Sequence, residues 1–182
     1  MEEADTFRRI AADFTDRVGG VDPAGWDAEA PCEGWVARDV VRHLVEWVPR
    51  WVSEGTDHPV TVAADVDDDP AAAWGQLSEQ LQTLLDRSEA EAFQSEMLGG
   101  DMLLGVAAEP FVTGDVLVHT WDLAKATGQD TSIDEEFAAA MYEGMLPMDD
   151  MLRNSGHFGP RVEVPEDADP VGKLIAFTGR TP

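Results

Sequence analysis

Asp115, His119 and Asp122 stand at i, i+4 and i+7, a spacing that puts two carboxylates and an imidazole on one stripe of a helix. The residues around them, Val116, Leu117, Val118, Trp121 and Leu123, are apolar, so the stripe faces an interior. A carboxylate without a partner costs several kcal/mol there, so such groups are paired, hydrogen-bonded or bound to metal. An acid and an imidazole one turn apart can hold a single ion from one helix. A third donor is His43, at the edge of the apolar face that Val40, Val41, Leu44, Val45, Trp47, Val48, Trp51 and Val52 form. Packing those two helices together brings His43 over Asp115 and His119.

The same residues have plainer readings. His43 has Asp39 one turn before it and Glu46 three residues after, enough for a surface charge pair. Thr113-Gly114-Asp115 resembles a helix start, which makes Asp115 a first-turn acid. His58 in an acidic loop and His157 in the tail read as solvated. Cys32 reads as a small buried loop residue rather than a nucleophile. Trp47, Trp51 and Trp121 are core by spacing and also the candidates for a pocket wall.

The elements that must position these groups are helical. Phe7, Ile10, Ala11, Phe14 and Val18 predict a helix over residues 5–18, closed by Gly19-Gly20. Residues 37–54 form the His43 helix, with Pro49 as a point of kinking. Asp69-Pro70 supplies a cap and a first helical residue for a third helix reaching Ser88. Residues 89–109 have no clear period and read as loop or broken helix. A buried fourth helix spans 110–127 and stops at Gly128; a fifth spans 133–153, bent near Pro147; a short one covers 171–177. Strand signals are nearly absent. The chain therefore reads as all-α, an antiparallel bundle in one domain over residues 1–182, with the tail from 157 to 182 docked on it.

Composition narrows the function. Thirty-seven acidic residues against twelve Lys and Arg give a formal charge of −25, with no basic run for phosphate contacts, which argues against nucleic acid. No stretch is long and apolar enough to span a bilayer, and the N-terminus lacks an apolar signal region. The single cysteine cannot form an internal disulfide, as expected of a cytoplasmic protein. Lys occurs only at 125 and 173, and Asp exceeds Glu. That balance fits solubility in high salt, a GC-rich genome, or a cationic partner that no one face of the chain identifies.

The blocks PCEGWVARDVVRHLVEW and DVLVHTWDLAKATG, and the ending VEVPEDADP…LIAFTGRTP, resemble the DinB/YfiT-like metalloenzymes. The resemblance is nearest to small relatives of the N-terminal domain of mycothiol-dependent maleylpyruvate isomerase. It implies a four-helix bundle holding one divalent metal, Zn²⁺ before Ni²⁺ or Fe²⁺, through His43, Asp115 and His119, with Asp122 orienting a histidine or a bound water. It also implies a low-molecular-weight thiol as partner, an isomerase or thiol-transferase reaction, and pairing as a homodimer. The alternatives are a non-catalytic metal- or ligand-binding bundle and a hydrolase that activates water on its metal. Two departures stand out: Val36 replaces the usual Thr or Ser cap, and Asp115 the usual Glu, whose longer arm sets the ion differently.

Overall fold

A computed structural model describes residues 2–87, 91–95, 99–154, 156 and 158–182. It is mostly helical, 64% helix against one two-stranded sheet, which places the chain in the all-α class. The expected helix end at Ser88 and the reading of His157 fall outside the described residues.

Helix α1, Glu2–Gly19, buries Phe7, Ile10, Phe14 and Val18, the predicted stripe. It lies against α3 (Pro70–Leu85) and α5 (Gly114–Thr127), and α2 (Ala37–Gly55) lies against the same two, closing a ring of four. Fully burying each Phe or Leu at such a seam contributes about 1.5–3 kcal/mol. Phe14 meets Trp74 edge-on at 4.6 Å, and the Trp74 indole N–H donates to Thr15 Oγ1 at 2.8 Å, so the α1–α3 seam is satisfied as well as packed.

The start signals act as read. Asp69 caps α3 by accepting from the Ala72 amide at 2.9 Å, with Pro70 next. Val36 offers no side-chain acceptor, but Asp39 reaches back to its amide at 3.0 Å, and Ala37 N–H donates to Ala28 O at 2.8 Å. The turn before α2 is thereby tied down without the missing hydroxyl. The helix runs through Pro49 to Gly55 without a break.

Of residues 89–109, those described, 91–95 and 99–109, correct the sequence reading; 89–90 and 96–98 lie outside the described residues. Two short strands, β1 (Ala92–Ser95) and β2 (Gly100–Leu103), pair antiparallel, Phe93 opposite Met102. Four-residue strands with one buried side chain in β1 carry no period to detect. Tertiary contact stabilises them: the Phe93 ring stacks on Trp51 at 4.2 Å and presses on Gly55, where any Cβ would collide with it. The helix expected to begin at residue 110 begins earlier, as α4 (Leu104–Ala108), and passes through one π turn, Glu109–Thr113, into α5. Pro110 has no N–H to donate, and Gly114 N–H reaches Glu109 O, five residues back. Thr113 keeps helical dihedrals and caps nothing, while Asp115 does lie in the first turn of α5, as the plainer reading had it.

The predicted fifth helix is α6 (Glu135–Met145), a 3₁₀ turn containing Pro147, and α7 (Asp149–Asn154). Helix α8, Pro170–Phe177, packs on α6; Tyr142 meets Phe177 edge-on, and Arg153 donates to Phe177 O at 2.6 Å.

Candidate metal centre

His43 comes from the middle of α2, and Asp115 and His119 from the first two turns of α5, so the group exists only because these helices pack together. His43 Nε2 lies 3.0 Å from Asp115 Oδ2, and His119 Nε2 lies 3.3 Å from Asp115 Oδ1. Trp47, one turn after His43, donates its indole N–H to Asp115 Oδ2 at 2.9 Å. The three groups can each offer one ligand atom, all within 4.8 Å of one another. The surface charge-pair alternative is not what forms: Asp39 is taken by Arg42, and His43 turns to Asp115.

Rings enclose this cluster. Trp35 lies 5.2 Å from the His43 ring and stacks on His119 at 5.9 Å, and Trp47 leads on to Trp51, 6.2 Å away. Trp121 belongs elsewhere. It lies on a different face of α5, under Lys125, and lines a cleft of about 450 Å³ with Pro31, Gly179 and Arg180. Trp35 was hidden in the sequence, sitting in the turn before the helix where no periodicity applies.

The other nitrogen of His119 points into a closed cluster. Nδ1 lies 2.9 Å from Asp122 Oδ2, and Asp122 is fully buried. Arg180 grips this carboxylate with both arms, Nε to Oδ1 and Nη2 to Oδ2, each at 2.7 Å. The same Nη2 donates to Cys32 Sγ at 3.2 Å. Gly179 makes the reach feasible: its φ of 94° turns the chain back after α8, and Gly159 sits so close that a Cβ would meet its backbone at 2.8 Å. No sequence signal points to Arg180, which stands 58 residues from its partner.

Burial works against every charge here, and the neighbours overcome it. Burial pushes the Asp115 carboxyl up, but the His119 charge and hydrogen bonds from His119 and His43 hold it well below the ordinary range. Burial pushes His119 down, yet Asp115 and Asp122 raise it to about 9. Asp122 is likewise held low by His119 and Arg180 against its own burial. Cys32 goes the other way, pushed up to about 12 by burial and by Asp122, so at neutral pH it is a thiol and not a thiolate. His58 is not simply solvated; its Nε2 lies 2.8 Å from Glu91.

Among the described residues, two groups thus have the types and spacing of metal ligands: His43, Asp115 and His119, and Cys32, His119 and Asp122. The chemistry separates them. Two imidazoles and a carboxylate suit a borderline divalent ion, and no Lys or Arg contacts that donor set in the bonds described above. In the second group the Arg180 guanidinium already supplies the positive charge at Asp122 and Cys32, where a metal would have to displace it.

A mostly helical chain with a two-helix, nitrogen-and-oxygen donor set is the class that fold and site define. The sequence profile of the mycothiol maleylpyruvate isomerase N-terminal domain matches residues 7–124, spanning His43, Asp115, His119 and Asp122, and the chain belongs to that family. The DinB/YfiT-like resemblance agrees with it. The chain is also similar to two proteins of Mycobacterium tuberculosis, uncharacterized protein MT0763 of strain CDC 1551 / Oshkosh and uncharacterized protein Rv0738 of strain ATCC 25618 / H37Rv. Each is 29% identical over 192 residues, 97% of this chain and 93% of the relative. No solved structure gives a significant match. No helix among the described residues is long and apolar enough to cross a membrane.

Proposed function

We propose that this chain is a metal-dependent enzyme that works with a low-molecular-weight thiol, in an isomerisation or a thiol transfer to an electrophile. The observation that carries the reading is the convergence of His43, Asp115 and His119, from two helices, within 4.8 Å. Family membership supports both the metal and the thiol, the family being described by mycothiol. In this reading the ring of α1, α2, α3 and α5 is the DinB/YfiT bundle, and residues 1–182 act as one domain with the tail docked on it.

Zn²⁺ suits the donors best, with Ni²⁺ and Fe²⁺ as the other ions of matching preference. An ion held by three protein groups supplies Lewis acidity and lowers the pKa of a thiol or water beside it. The chain's own residues prepare the place. Asp122 accepts the Nδ1 proton of His119, which leaves Nε2 as the ligating nitrogen. Trp47 holds Asp115 Oδ2 from the side away from His119, fixing the carboxylate. Trp35, Trp47 and Trp51 keep the approach apolar, which favours an uncharged face of the electrophile. His43 and Asp115 retain 33% and 26% of their side-chain surface, so a small molecule reaches them without unfolding.

The test is elemental analysis of untagged protein purified without chelator, beside His43→Ala and His119→Ala. Wild type is expected to carry an equivalent of divalent metal and both variants little. Unchanged metal content in His119→Ala overturns the reading. Thiol conjugation to a panel of electrophiles then tests the reaction.

A further inference from the structure

Arg180 stands outside the stretch that matches the family profile, yet its guanidinium ends one carboxylate away from a ring of the metal centre. The path is continuous: Arg180 to Asp122 by two bonds of 2.7 Å, and Asp122 to His119 Nδ1 at 2.9 Å. Asp122 has no exposure and Arg180 little, so the bonds act in a setting of low polarity, where a two-armed pair fixes orientation and not only charge.

Resting on the metal reading above, we propose that Arg180 is a positioning residue for the centre. Its paired N–H groups set the rotation of Asp122, Asp122 sets the His119 ring, and the C-terminal segment thereby completes the site. A simple tail anchor does not require this geometry. The tail is already held by Arg153 on Phe177 O, by the bond from Val162 N–H to Ala176 O at 3.0 Å, and by the packing of α8 on α6. A counter-charge alone could be supplied by Lys, which lacks the fork.

The experiment is a double-mutant cycle read as Zn²⁺ affinity by competition with a chromophoric chelator. Arg180→Lys keeps the charge and loses the fork; it is expected to weaken binding about tenfold, the scale of a lost outer partner of a ligating histidine. Asp122→Asn should weaken it at least as much, and Arg180→Lys should add nothing in the Asp122→Asn background. Arg153→Gln, which loosens the tail elsewhere, should leave affinity unchanged. Additive losses, wild-type affinity in Arg180→Lys, or an equal loss in Arg153→Gln each overturn the proposal.

The His119 Nδ1 proton, followed by NMR in metal-free protein, separates this idea from the metal reading. Wild type that takes up no Zn²⁺ sinks the metal reading alone. The relay then stands if Arg180→Lys shifts or broadens that proton and Arg153→Gln does not, and falls if Arg180→Lys leaves it as in wild type.

Discussion

The two sides of the His119 ring use similar residues for opposite ends. On the Nε2 side, His43, Asp115 and His119 converge, partly open to solvent, with no Lys or Arg among the described residues bonded to them; the positive charge there is the His119 imidazolium, which a proton can leave. On the Nδ1 side, Asp122 and Cys32 are closed over by Arg180. A cluster of acids and soft donors becomes a closed ion pair when a guanidinium is fixed against it; where the cationic partner is an imidazolium that can lose its proton, the donors are free, in the reading proposed above, to take a metal. The difference lies in one long side chain from the C-terminus, not in the donors.

That contrast can be broken by experiment. The largest effect is expected from Asp122→Ala, which leaves Arg180 buried without its partner and costs about 3–5 kcal/mol of stability. Urea unfolding measures it, and a cost as small as that of Asp115→Ala would erase the distinction between the two sides. Cys32 gives the next effect. Its thiol, near 12 against 9.0 for a free group, should alkylate roughly a thousandfold more slowly than a free cysteine at pH 8, and at the ordinary rate in urea.

The pH dependence sharpens the open side. His119 in the folded protein sits above a free imidazole, near 9 against 6.5, so its ion pairs stabilise the metal-free fold fully below 6.5 and are lost as pH climbs through about 9. Asp115 and Asp122 sit below the free value of 3.8, so their share is present above that and is lost as pH falls toward their depressed folded values. Metal must displace the His119 proton. Zn²⁺ affinity should therefore rise about tenfold per pH unit between 6.5 and 9, with proton release visible by calorimetry in buffers of different ionisation enthalpy. The smallest effect on the fold is expected from His43→Ala, within about 1 kcal/mol for a part-exposed pair, even as it removes a proposed metal ligand.

Legibility followed the range of the forces. The stripe of Phe7, Ile10 and Phe14, the cap at Asp69, and the stop at Gly128 all read correctly because each is settled within a turn or two of chain. The β1–β2 pair did not, since Phe93 stands on Trp51 and Gly55 from another helix. The π turn was equally hidden, because Pro110 alone predicts an interruption and not which carbonyl Gly114 will take. At the centre, the acid, histidine and acid of α5 were readable as one face, and His43 was readable as a third donor at the edge of its helix's apolar face, the set that the resemblance also implied. Trp35 and Arg180 were not readable, and Trp121 was misplaced on the site's side.

The sequence by itself determined that Asp115, His119 and Asp122 share a stripe, because 3.6 residues per turn is a property of the backbone. Only the packing of α2 on α5, and the reach of the tail to α5, decided that His43 meets one end of that stripe and Arg180 the other. Such meetings depend on side chains far apart along the chain finding complementary surfaces, and no local spacing encodes them.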